Sequence, residues 1–162
     1  MDNINFRRSI KKDIPYINNL FIEMIKTLNN RIINEGIEPY SDLENGYEDN
    51  YLEQFYVNDD KVIFVAEYDN TIIGFISLCK EDDYIYMDDY SVSESYRGKG
   101  IGSKLFDMAV IFAKEQGINV IKSHVESANK ESIEYYKNKG FKIIEEQCHR
   151  LLIEKNWSDL NE

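Results

Sequence analysis

The chain has 162 residues, 43% apolar and 30% charged, with a net charge of −11 and a pI of about 4.7. That length and balance fit a single domain over residues 1–162 with a complete core, and so acidic a chain argues against nucleic acid as a partner. No apolar run approaches the roughly 18 residues of a membrane span, and Met1–Arg8 lacks the basic-then-apolar order of a signal peptide. Two cysteines, Cys79 and Cys148, make no disulfide framework. The expectation is a cytoplasmic protein with no membrane partner, its two thiols free and packed.

Ile4 to Ser9 reads as an opening strand. Asp13 can cap the helix that follows, with Pro15 tolerated in its first turn. Ile14, Ile17, Leu20, Phe21, Met24, Ile25 and Leu28 repeat at the three-to-four spacing of a helix with one buried face. Gly36 and Pro39 end that pattern. A polar, aromatic connection follows, with a short second helix expected from about Gly46 to Val57. Lys61–Tyr68 and Thr71–Lys80 are β-branched runs joined through Asp69-Asn70, a hairpin signal. Tyr84–Val92 is a further strand, and Ile101, Leu105, Met108, Ala109 and Phe112 mark a second amphipathic helix that Gly117 stops. Asn119–Glu126 reads as a strand, Asn129–Asn138 as a short helix, and Phe141–Glu146 with His149–Glu154 as the last strand pair. The order predicts a mixed α/β sheet.

Between the Tyr84–Val92 strand and its helix, Ser91 to Ser103 reads SVSESYRGKGIGS, with Gly98, Gly100 and Gly102 at alternate positions. Glycines open backbone conformations closed to other residues and let a ligand approach the main chain. The first N–H groups of the helix that follows have no partner within it, and the helix dipole is positive there. Arg97 and Lys99 add charge, so the stretch reads as a cradle for phosphate oxygens. It matches neither G-x-x-x-x-G-K-[ST] nor G-x-G-x-x-G.

R-G-K-G-I-G at residues 97–102 resembles the [Q/R]-x-x-G-x-G/A signature of the GCN5-related N-acetyltransferases. Asn129 to Phe141 resembles the same family's N-x-x-[A/S]-x-x-x-Y-x-x-x-G-F segment, with Ser132, Tyr136 and Gly140 in register. Across roughly residues 4–155 the resemblance implies an acyl-CoA N-acyltransferase fold, α/β (α+β), with a mostly antiparallel sheet of six or seven strands and about four helices. It implies acetyl-CoA as cosubstrate: its pyrophosphate on Arg97, Gly98, Lys99, Gly100, Ile101, Gly102 and Ser103, its pantetheine along Tyr90, Ser91 and Val92, and further contacts from Asn129, Ser132 and Tyr136. Asn129 reads equally as a helix cap. A homodimer stays open, since dimers are common in the family.

Amine acetylation poses two proton problems. An alkylammonium of pKa about 10.4 is neutral in about one molecule in a few thousand at pH 7, so unaided deprotonation costs on the order of 4–5 kcal/mol. The departing thiolate needs a proton in return. Tyr136, at the position of the family tyrosine, is the candidate acid. Asp88 and Asp89 are candidate bases or cation binders, and strand alternation lets only one of them face the cleft. The stretch resembles the Leu-Glu-Asp-like run of polyamine acetyltransferases, with Asp88 at the glutamate position. His124, His149 and Cys148 lack the spacing of a metal site, so no metal is expected. Between Glu38 and Glu94 lie 16 acids against Lys61 and Lys80 alone, which reads either as a solvated surface or as a funnel for a cationic substrate. The reading is an acetyl-CoA-dependent N-acetyltransferase acting through a ternary complex on a small cationic amine, such as a polyamine, an aminoglycoside or an amino-acid-like amine. A peptide or lysine acetyltransferase and a non-catalytic acetyl-CoA-binding module are the alternatives.

Overall fold

The computed structural model describes residues 3–160. Its frame is one seven-stranded sheet: β1 (Asn5–Arg8), β2 (Lys61–Tyr68), β3 (Thr71–Lys80), β4 (Ile85–Val92), β5 (Val120–Glu126), β6 (Lys142–Gln147) and β7 (Arg150–Asn156). Strand order is β1-β2-β3-β4-β5-β7-β6, and every pairing is antiparallel except β4 with β5. Both faces of β3 are buried, because the sheet is covered on each side. One face packs Val62, Ile76, Leu78 and Ile121 against Leu105, Phe106 and Ala109 of helix α2 (Ile101–Glu115). The other packs Ile63, Val65 and Phe75 against Ile17, Phe21 and Ile25 of helix α1 (Ile14–Asn34). A third helix, α3 (Lys130–Asn138), follows β5. Each fully buried aliphatic side chain of these layers contributes about 1.5–3 kcal/mol relative to exposure.

Three expectations change. Asp13 sits at the N-cap of α1 without capping it; its carboxylate instead binds Arg7 through both oxygens, at 2.8 and 3.0 Å, and accepts from Ile10 N. The second helix expected over Gly46–Val57 is absent. Two 3-10 turns, Ser41–Asn45 and Leu52–Tyr56, flank a break where Gly46 and Asn50 take positive φ, which no helix accommodates. The described residues therefore hold three α-helices rather than about four. Cys79 is buried as expected, but Cys148 is exposed at positive φ in the turn between β6 and β7.

The hairpin signal at Asp69-Asn70 is realised with φ of 52° and 60°, the mirror-type turn that suits strand twist.

Candidate functional site

β4 and β5 run in parallel for only two residue pairs, Ile85–Ile121 and Tyr86–Lys122. Beyond them the strands part, and Ser123 Oγ donates to Met87 O at 2.7 Å across the apex of the gap. Ser93 N donates back to Ile73 O on β3. Backbone groups alternate in direction along a strand, so those of Tyr90 and Val92 turn to the gap. A cavity of about 770 Å³ occupies it, walled by β4 from Asp88 to Val92, β5 from Ser123 to Glu126, α1, and the N-termini of α2 and α3.

The glycine loop closes one end. Gly98 and Gly100 take φ of 76° and 81°, in the left-handed region. That region costs an L side chain roughly 1–2 kcal/mol, and it lets the chain turn directly into α2. The first bond of the helix is Lys104 N to Gly100 O, so the N–H groups of Ile101, Gly102 and Ser103 precede its ladder. A Cβ on Gly102 would stand 3.0 Å from the Tyr90 hydroxyl, which donates to Gly102 O and pairs with Tyr135 Oη at 2.6 Å. Arg97 turns its Nε back onto Val92 O at 3.0 Å, using one of the carbonyls expected to pair with pantetheine. Lys139 donates to Ser103 Oγ at 2.6 Å and so brings a positive charge to the helix start; its distance in sequence hid that contact.

Asp88 and Asp89 stand on a β-bulge. Ser77 pairs with Asp89 while its neighbour Leu78 pairs with Met87, so Asp88 is the extra residue. A bulge bends the strand and suspends strict alternation, and both carboxylates line the cavity where one was expected. Each is held by a phenol: Tyr51 donates to Asp88 Oδ2 and Tyr47 to Asp89 Oδ2, the latter at 2.6 Å. Burial drives both carboxyls upward. Asp89 is pushed up to about 7 by burial and by the charge of Asp88, against the pull of its Tyr47 hydrogen bond. Asp88 also lies above its ordinary range through burial, though Tyr51 and the charge of Lys61 oppose the shift.

The two phenols come from the connection after α1, which polar anchors on that helix fix. Asn29 Oδ1 accepts from Tyr40 N at 2.9 Å, and Asn18 Oδ1 accepts from Tyr47 N at 2.9 Å. Gly46 is required beside Asn18, since a Cβ there would fall 2.5 Å from Asn18 Oδ1. Phe21, Tyr47 and Tyr51 then stack, with centroids 3.8 and 5.0 Å apart. Opposite, on β5, Glu126 is buried and accepts from Tyr40 Oη at 2.5 Å, with His149 Nδ1 2.7 Å from its other oxygen. Tyr40 is pushed up to about 12, by burial first and then by Glu126.

Tyr136 lines the same cavity and packs edge-on against Tyr135 and Phe141. Its hydroxyl makes no hydrogen bond to the described residues. Burial raises its pKa, with smaller contributions from Tyr135 and Asp89, so the phenol stays protonated. Asn129 caps α3 through Ser132 N at 3.4 Å, and its Oδ1 also accepts from Arg31, which pairs with Glu131 at 2.9 Å. Ser91 is buried in β4 and borders the cavity beside Val92, while Lys99 is exposed in the loop. The two histidines have partners of their own: His124 lies 2.7 Å from Tyr86 Oη and 3.0 Å from Gln147 Oε1, and His149 meets Glu126. Among the described residues no three His, Cys, Asp or Glu side chains gather as a metal group would require.

Known proteins share this architecture. A solved structure of PaiA N-acetyltransferase from Thermoplasma acidophilum in complex with coenzyme A superposes with a TM-score of 0.80 at 22% identity, over 95% of this chain and 99% of that one. Streptothricin acetyltransferase A of Bacillus subtilis is 26% identical over 146 residues, 88% of this chain and 83% of the relative. An uncharacterised N-acetyltransferase of Methanocaldococcus jannaschii is 30% identical over 98 residues, and the match spans only 43% of that protein's length. The acetyltransferase (GNAT) family model matches residues 29–141, from the end of α1 through the glycine loop to Phe141. On that match, the chain belongs to the acetyltransferase (GNAT) family.

Proposed function

We propose that the protein is an acetyl-CoA-dependent N-acetyltransferase that works by direct attack in a ternary complex, its acceptor a small amine that arrives as a cation. The observation that carries the reading is the parted β4–β5 pair, with an anion cradle at one end and a phenol-held pair of carboxylates at the other, around one cavity. The solved PaiA relative holds coenzyme A, and the residues here suit that group: open N–H groups at the start of α2, two left-handed glycines, and Arg97, Lys99 and Lys139 nearby.

Acetyl-CoA supplies an activated acyl group, and the chain supplies position and protons. The cradle residues, with Ser91 and the gap-facing backbone of Tyr90 and Val92, hold the cosubstrate in the gap as an added strand would be held. The N–H of Tyr90 is the donor placed to polarise the thioester oxygen. Phe21 and Tyr86, which line the cavity, offer aromatic surface, and Asp88 with Asp89 offers negative charge, which suit an ammonium. Asp89, with a pKa of about 7, takes the ammonium proton directly or through water; a base poised near the working pH balances availability against strength. Tyr136 donates a hydrogen bond to the departing sulfur. Full proton transfer from so weak an acid is uphill, so its role is to stabilise the thiolate until solvent protonates it.

Initial rates of thiol release, with amine varied at several fixed acetyl-CoA concentrations, test the ternary complex. Intersecting reciprocal plots are expected. Parallel plots with an acetylated enzyme on intact mass would overturn direct attack.

A further inference from the structure

Three arginines line the cavity: Arg31, Arg97 and Arg150. Arg31 is committed to Glu131 and Asn129, and Arg97 to Val92 O. Arg150, the first residue of β7, makes no ion pair among the described residues; the neighbour its guanidinium meets is the neutral hydroxyl of Tyr86. Its partner across the ladder is Glu126, but both oxygens of that carboxylate are engaged by Tyr40 and His149.

Beside Arg150, then, stand a carboxylate already engaged by other groups and the uncharged side chains of Tyr40, Tyr86 and His124. The field of Arg150 acts on all three, and His124 is held below its ordinary pKa, by burial first and by Arg150 second, so it is neutral at pH 7. Tyr86 also feels Asp88 and Asp89, which act on it in the opposite sense to Arg150. The acceptor side of the cavity therefore has two poles, a diacid on β4 and a guanidinium on β7, with Tyr86 between them. A guanidinium drawn partly out of water without a counter-ion is unfavourable, and its planar fork matches a carboxylate through two parallel bonds.

We propose that the acceptor is a zwitterionic amine, an amino acid or a close derivative, whose carboxylate docks on Arg150 while its ammonium lies at Asp88 and Asp89. The inference rests on the acetyl-transfer reading and narrows it to the amino-acid-like members of its substrate class. A singly charged carboxylate fits better than a phosphate, because Glu126 and the diacid repel a dianion more strongly.

Matched pairs of acceptors test it: lysine with cadaverine, arginine with agmatine, and the remaining amino acids with their decarboxylated counterparts. In the wild type, kcat/KM for the better acids is expected to exceed that of their partners roughly 10- to 100-fold, carried mainly in KM. In R150Q that ratio is expected to fall towards one, and in R150K to recover in part. A wild-type ratio at or below one in every pair, or a ratio that survives in R150Q, overturns the inference while acetyl transfer itself stands. No transfer to either member of any pair, with acetyl-CoA binding intact, overturns both. The wild-type ratio decides the matter even where R150Q fails to fold, which its melting temperature reports.

Discussion

Asp89→Asn isolates the proposed base. An acceptor ammonium of pKa about 10.4 loses its proton at pH 7 at a cost of about 4.6 kcal/mol, from 3.4 units at about 1.36 kcal/mol each. Asp89, pushed up to about 7 by burial and by Asp88, takes that proton on a group that is close to half ionised at neutral pH. Removing a positioned base costs roughly 10²- to 10⁴-fold in rate, and the amide keeps nearly the same shape. The assay is kcat/KM for one amine between about pH 6 and pH 9. The wild type is expected to climb with unit slope below pH about 7 and to level off above it. Asp89→Asn is expected to lose that break and climb on towards the pKa of the amine itself. The two carboxyls interact, so the break belongs to the pair, and Asp88→Asn, which removes the repulsion, is expected to move it to lower pH. An Asp89→Asn enzyme within about threefold of the wild type, with the same profile, would refute the assignment.

Tyr136→Phe is expected to lower kcat roughly 10- to 100-fold and change the acetyl-CoA Kd far less, since its hydroxyl acts on the charge that builds on the departing sulfur; an unchanged kcat removes its role. Lys139→Met should weaken acetyl-CoA binding several-fold in titration calorimetry, with a shallower salt dependence, because the charge pinned to Ser103 is lost; identical salt slopes would place Lys139 outside the cradle. Asp13→Asn is expected to cost roughly 2–3 kcal/mol at pH 7 in urea unfolding, as it leaves Arg7 without its principal partner. Burial raises the Asp13 pKa, but the Arg7 and Ile10 hydrogen bonds outweigh it and the net shift is downward. Its contribution is thus present above the unfolded value of about 3.9 and lost as pH falls through the lower folded value. The gap between wild type and variant should close in acid, and a constant gap down to pH about 2 would contradict the ion pair.

What was legible in the sequence was what is local. The helices are written in the spacing of Ile17, Phe21 and Ile25 and of Leu105, Ala109 and Phe112, and the turn into α2 in three alternate glycines before a helix. Tyr136 reached the cavity because its place is set by a short helix whose cap, Asn129, is also its neighbour in sequence. What escaped depends on pairing between distant segments. Alternation along β4 predicts that Asp88 and Asp89 point apart, and only the register against Ser77 and Leu78 reveals the bulge that turns both inward. The helix expected over 46–57 does not form because Gly46 and Asn50 take positive φ, in a connection tied to Asn18 and Asn29 of α1. Those two asparagines look like ordinary polar positions in a helix, yet Asn18 places Tyr47, which holds Asp89, and Asn29 places Tyr40, which holds Glu126. Lys139 and Arg150 gave no signal for the same reason, as each acquires its meaning from a partner, or the lack of one, across the sheet.

Acetyl transfer itself is tested by acceptor-dependent release of thiol from acetyl-CoA, run across amino acids, polyamines, aminoglycosides and short peptides, with the acetylated product identified by mass. Release is expected to require a small cationic or zwitterionic amine, to saturate in both substrates, and to fall at least tenfold in both Asp89→Asn and Tyr136→Phe. Acetyl-CoA bound tightly with no acceptor-dependent release across the panel, or release as fast with Asn at position 89 and Phe at 136, would contradict that expectation.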